Sequence, residues 1–184
     1  IILSIYFSET RTIAKQKKAQ LSHAFNLLIS ALKEKSIRIL SISFFLFQFS
    51  WTFYYIYTNA YLTQQFHASG LNIGLFTAFL GASLGLGFTF MVRLCEKFNK
   101  VFNIIAGYGL VALSALCISF IHKESIVWLS AIPCGLGLAA AYSNSIGLFS
   151  LQTNADKQGW IMGITSAIVA MAAGIASFVI GPLA

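Results

Sequence analysis

Four polar side chains in one apolar stretch set the chemistry this chain could perform. Gln48, Thr52, Tyr55 and Asn59 follow one another at steps of four, three and four residues. That spacing stacks them on a single helix face. Their carboxamides and hydroxyls bond a ligand without formal charge, and Trp51 and Thr58 adjoin them. The stripe suits a solute-binding wall, with Gln and Asn as hydrogen-bond partners and the aromatic rings as stacking surfaces. Hydrogen bonding between helices is the competing use of the same groups. Asn144, within Tyr142-Ser143-Asn144-Ser145, is a further wall candidate.

Hydrolytic chemistry fits poorly. Gly81-Ala82-Ser83-Leu84-Gly85 matches the G-x-S-x-G nucleophile pattern, but that pattern needs a strand-to-helix elbow with a nearby His and acid. His67 and His122 lie in or beside turns, and no carboxylate falls inside the apolar stretches. The same five residues also match G-x-x-x-G, a close-packing signal between membrane helices, and that reading is preferred. An embedded enzyme would need clustered His, Asp or Glu, so neither catalysis nor a metal or other cofactor is expected. Cys95, Cys117 and Cys134 show no CxxC pairing and read as small apolar residues.

The elements that position the stripe follow from composition. The 184 residues are 58% hydrophobic and 9% charged, against about 25% charged in a soluble domain. Runs of 54, 22, 31 and 27 residues carry no charge at all. Each exceeds the roughly 20 residues that span a bilayer core, and the first holds two spans, divided at the polar turn of residues 63–70. The expected fold is all-α, a polytopic helical membrane protein with spans at about 39–62, 71–92, 101–121, 126–148 and 159–181. Open strands cannot satisfy their backbone in lipid. The third span is apolar nearly all round and reads as an outer helix. Pro133 is expected to kink the fourth. In the fifth, Gly159, Gly163, Ala167, Ala170 and Gly174 form a small-residue face suited to close packing.

Eleven of the twelve Lys and Arg residues fall in 8–38, 93–100 and 149–158, while residues 63–70 and 122–125 hold only Lys123. This positive-inside bias places the three basic segments in the cytoplasm and explains the net charge of +7 without a nucleic-acid partner. Residues 8–38 form a basic linker. Leu21, Phe25, Leu28 and Leu32 recur at helical steps there, so it reads either as an amphipathic helix on the anionic leaflet or as a solvated connector. Residues 1–7 are apolar but too short to span and read as the tail of a preceding membrane helix. Both ends read as truncated, and the expectation is a longer protein.

Several pieces together resemble the C-terminal half of a major facilitator superfamily transporter. Phe7-Ser8-Glu9-Thr10 is similar to the F-x-P-E-T ending of that family's sixth helix, with Ser8 in place of proline. Leu94-Cys95-Glu96-Lys97-Phe98-Asn99-Lys100 resembles the cytoplasmic motif L-A-D-R-x-G-R, with Asn99 and Val92 replacing glycines. Asp156-Lys157-Gln158-Gly159-Trp160-Ile161-Met162-Gly163 resembles the R-G-x-x-x-G start of helix eleven in drug-proton antiporters, and Gly181-Pro182 the G-P near its end.

The resemblance implies helices seven to eleven of a twelve-helix bundle, completed by an N-terminal half of the same chain. It also implies alternating access for a small solute, with a bacterial inner membrane as the expected location. Gln48, Thr52, Tyr55, Asn59 and Asn144 would form the C-terminal wall. Arg93, Glu96, Lys97 and Lys100 would form a conformational latch. Efflux coupled to protons is the leading reading. A uniporter or an importer of a sugar or other metabolite stays open, because no carboxylate or His lies within the spans to carry a proton. A channel-forming or structural subunit is the rival from another class.

Overall fold

The computed structural model describes residues 35–120, 122–153 and 158–181. The linker, the Phe7-Ser8-Glu9-Thr10 motif, Asp156, Lys157 and Pro182 lie outside the described residues. Among the described residues five helices are long and apolar enough to cross a membrane, the second of them counted through to Met91: α1 (Lys35–Phe66), α2 (Gly70–Leu86), α3 (Lys100–Phe120), α4 (Glu124–Leu151) and α5 (Gln158–Ile180). α2 continues through a π-helical segment, Gly87–Met91, and a short α turn, Val92–Cys95. At 32 residues, α1 is about 48 Å long and outreaches a hydrocarbon core of roughly 30 Å. It begins inside the segment expected as linker. The α1–α2 turn is short, and His67 takes a left-handed backbone conformation there (φ 51°). The Ser69 hydroxyl then caps α2 by accepting from the Asn72 amide at 3.3 Å.

α4 is the hub. It buries residues on all sides, among them Ala131, Gly135, Gly137, Ala139, Ala140 and Ala141, the pattern of a helix surrounded by others. Gly135 and Gly137 are two residues apart, which turns them to nearly opposite faces, about 200° around the helix. A Cβ on Gly135 would lie 2.8 Å from the Leu84 amide nitrogen and the Ser83 Cβ, both on α2. One on Gly137 would lie 2.7 Å from the Gly107 carbonyl of α3, and one on Gly107 2.6 Å from the Gly137 carbonyl. Gly87 meets Ala139 at 2.6 Å in the same way. Only glycine permits backbones this close.

The helices therefore associate as two groups. α2, α3 and α4 form one, closed by glycine seams. α1 packs chiefly along α5, whose buried Ile161, Ile164, Ile168, Ala172 and Ala176 repeat at steps of three and four. The groups meet through side chains, with Phe44 against Tyr142 and Phe149 at ring distances of 5.7 and 5.8 Å and Phe47 stacked on Tyr108 at 4.5 Å.

Three expectations are corrected here. The G-x-x-x-G of α2 makes no close contact among the described residues. Gly81 and Gly85 would have nothing within 4 Å of an added Cβ, while Ser83 between them is buried. The small face of α5 is likewise open at Gly159, Gly163 and Gly174. Third, α3 is not uniformly lipid-facing: it buries Asn103, Gly107 and Ser114 against its neighbours while Phe102, Ile105 and Leu113 stay exposed. α4 runs as one α-helix from Glu124 to Leu151 with Pro133 inside it, and a π-helical segment follows α2.

Gly137→Ala should lower folding stability by about 1–3 kcal/mol through overpacking. Gly109→Ala, on the open side of α3, should be neutral or slightly stabilising. Thermal melting of the two variants in detergent decides, and equal melting temperatures would remove the glycine seam from the account. In a double-mutant cycle, Asn103→Leu with Asn144→Leu should give a coupling of about 0.6–1.7 kcal/mol, the range of interhelical bonds in lipid. Strict additivity would mean that the carboxamide bond between them does not hold α3 to α4.

Candidate functional site

The polar stripe of α1 starts from helix geometry. Gln48 and Asn59 are three turns apart, which sets them about 16 Å apart along the axis and about 20° apart around it. Thr52 and Tyr55 fall between them on the same side. Gln48 is buried, at 4% exposure, and Thr52, Tyr55 and Asn59 are half-buried. The stripe is thus a floor at one end and a partly open wall along the rest.

Its hydrogen bonds are incomplete. Thr52 donates to the Gln48 backbone carbonyl at 2.9 Å, so its hydroxyl is engaged within the helix. Gln48 Oε1 and Asn59 Oδ1 are both buried and have no hydrogen-bond partner, although buried acceptors in native proteins are nearly always paired. Trp51 lies beside the stripe, with ring centres 6.1 Å from Tyr55 and 6.2 Å from Tyr54.

Asn144 is not brought to this stripe. It is buried at the α3–α4 seam, where its Oδ1 accepts from Asn103 Nδ2 at 3.2 Å and its own Nδ2 donates to the Ala140 carbonyl at 2.8 Å. The sequence reading missed Asn103, whose position near the start of α3 mirrors that of Asn144 near the end of α4. An antiparallel hairpin brings such positions together. It also missed the bonds that hold α1 to the other group. Tyr54 Oη pairs with Ser130 Oγ at 3.0 Å, Ser43 with Tyr108 at 3.1 Å, and Tyr61 with His122 Nδ1 at 2.8 Å. Tyr54 sits about 120° around α1 from Gln48, on the side turned to α4.

Arg93, Glu96, Lys97 and Lys100 cluster on the segment joining α2 to α3, and all are exposed. No ion pair joins any of them to another described residue. Lys100 instead reaches over the end of α4, its Nζ 3.1 Å from where a Gly147 Cβ would stand. A cation there faces the negative end of the helix dipole. Pro133 lies within α4 one residue before Cys134, on the stretch facing Tyr54.

Two outer grooves lie elsewhere. One of about 710 Å³ runs between α1 and α3, lined by Ser43, Ser50, Tyr108, Ala112, Ala115 and Ser119. A second of about 270 Å³ continues it past Phe53, Tyr57 and Ile118. Ser50 points about 160° away from Gln48, so neither groove belongs to the stripe. Among the described residues no group of three His, Cys, Asp or Glu is placed to hold a metal.

The arrangement offers uncharged hydrogen-bonding groups inside a bundle of apolar helices. Neither a curated protein sequence nor a solved structure matches the chain. The Major Facilitator Superfamily does match it, over residues 1–184. With that match over the whole chain, and five helices among the described residues long and apolar enough to cross a membrane, the chain belongs to the major facilitator superfamily and is an integral membrane protein of the secondary-transporter class.

Proposed function

We propose that α1 supplies the C-terminal wall of the solute site in an alternating-access transporter, with Gln48, Thr52, Tyr55 and Asn59 facing the solute. The observation that carries this reading is the pair of buried, unpartnered carboxamide oxygens on Gln48 and Asn59. A polar stripe without partners is costly against lipid and is retained where it meets a cavity or a ligand. The open small-residue faces of α2 and α5 support a second helical body packing there, the missing N-terminal half, against which this one rocks. Asn144, bonded to Asn103, serves in this reading as a tie between α3 and α4 rather than as wall.

Efflux by proton antiport is the finer reading, and its coupling group lies beyond the five spans, since every Asp and Glu of the chain falls outside the charge-free runs. The basic residues gathered at one end of the bundle orient that end to the cytoplasm, in keeping with a bacterial inner membrane. There Arg93, Glu96, Lys97 and Lys100 act as the latch, exposed and unpaired in this conformation and free to engage the other half in another.

Asn59→Leu should lower the kcat/KM of saturable transport about fivefold to tenfold at unchanged expression, the worth of one hydrogen bond. Unchanged kinetics in proteoliposomes would take α1 out of the site. Glu96→Ala should change turnover about fivefold or more while leaving apparent affinity within twofold, as expected for a coupling of about 1–2 kcal/mol between conformations. An effect confined to affinity would move Glu96 out of the latch.

A further inference from the structure

Gln48 is buried on α1, at 4% exposure, and the next members of the same face and its neighbour, Thr52, Tyr55 and Trp51, are half-buried. Its Oε1 has no partner, and neither has Asn59 Oδ1 three turns away. Both are carbonyl oxygens and accept hydrogen bonds. What fills them must therefore donate. The groups between them are aromatic, with Trp51 and Tyr55 tilted by 33° at 6.1 Å, and such rings favour flat partners.

Charge narrows the ligand further. α1 carries no charged residue after Arg38, and no Asp, Glu, Lys or Arg occurs between Arg38 and Arg93. The other charge-free runs keep formal charge to the ends of α3, α4 and α5. An ionised solute at this depth loses its hydration with no opposite charge on this wall to replace it. The exclusion applies to anions and cations alike.

We infer that the α1 stripe binds a flat, uncharged solute that donates hydrogen bonds, an aromatic amide or a compound of that chemistry, with its donor on Gln48 Oε1 and its rings against Trp51 and Tyr55. This assignment of solute class rests on the transport reading of the same stripe. Gln48 and Tyr55 are two turns apart, about 10 Å along the axis, which a two-ring compound bearing one amide spans.

A matched naphthalene series tests it on the intact protein in phosphatidylcholine nanodiscs, read by quenching in a variant whose only tryptophan is Trp51. 2-Naphthamide should quench saturably. N,N-dimethyl-2-naphthamide, which keeps the ring and carbonyl but has no donor, should bind about tenfold more weakly. 2-Naphthoate and 2-naphthylmethylammonium should be weaker than the primary amide by at least as much. Gln48→Leu should erase the advantage of the primary amide, and the ranking in the parent variant decides by itself should Gln48→Leu not fold. Equal binding of the two amides, or tighter binding of either ion, overturns the inference. So does a Gln48→Leu variant that keeps the full ranking, which would mean that another part of the protein fills Oε1. Saturable flux restricted to ionised solutes would overturn the solute class and leave the transporter standing. Saturable amide binding without saturable flux of any solute would do the reverse.

Discussion

In hydrocarbon, helices gain nothing from hiding apolar surface, because lipid tails are as apolar as leucine. What holds them is contact at short range and the few hydrogen bonds that cross between them. In this chain the short-range contact is concentrated on α4, where Gly135 admits α2 and Gly137 admits α3. An added methyl at either position would overlap backbone atoms of the neighbour. The placement of the other elements follows from those two points. α2 must bury Ser83 and Gly87 toward α4, which turns Gly81 and Gly85 outward. α3 must run antiparallel with Gly107 on Gly137, which carries Asn103 to Asn144.

Hydroxyl groups show how the same medium disposes of polarity. Ser50, Thr58, Thr63, Thr89, Ser114 and Ser119 each donate to the carbonyl four residues back. A hydroxyl disposed of in this way is neutral toward its surroundings. Carboxamides are larger and cannot satisfy both ends on their own helix. Asn144 solves this with one bond to Ala140 and one to Asn103. Gln48 and Asn59 do not, and their oxygens stay open on α1, as does the buried Ser41 hydroxyl about two turns before Gln48.

Locality bounds what was legible in the sequence. Charge-free runs announce five spans because their length is a direct consequence of bilayer thickness. The α1 stripe is legible because its spacing belongs to one helix. Glycine contacts are not, since a small residue announces that something can approach but not what does. Gly81 and Gly85 carry the better motif, yet Gly135 and Gly137, with no G-x-x-x-G, make the contact. Asn144 failed to join the stripe for the same reason. Its partner is 41 residues away, and only the register of the α3–α4 hairpin brings the two together. Tyr54 escaped notice because it is one of seven tyrosines, four of them within residues 54–61, and nothing local marks it as the one facing Ser130.

The two kinds of seam differ in how they can change. A glycine seam is either closed or lost, because backbone atoms meet backbone atoms with no side chain to adjust. The seam between α1 and the α3–α4 pair is made of rings and of three side-chain bonds, Tyr54 to Ser130, Ser43 to Tyr108 and Tyr61 to His122. Interhelical bonds of this kind contribute on the order of 0.6 kcal/mol each in membranes, since the separated groups find other partners. Ser130 already has one, donating to the Val127 carbonyl at 2.7 Å, and Tyr108 reaches the Ser43 carbonyl as well as its hydroxyl. The helix that carries the polar stripe is therefore attached to the glycine-sealed group by contacts that rearrange at low cost. Its firmest packing is along α5, while the glycine contacts fix the register of α2, α3 and α4.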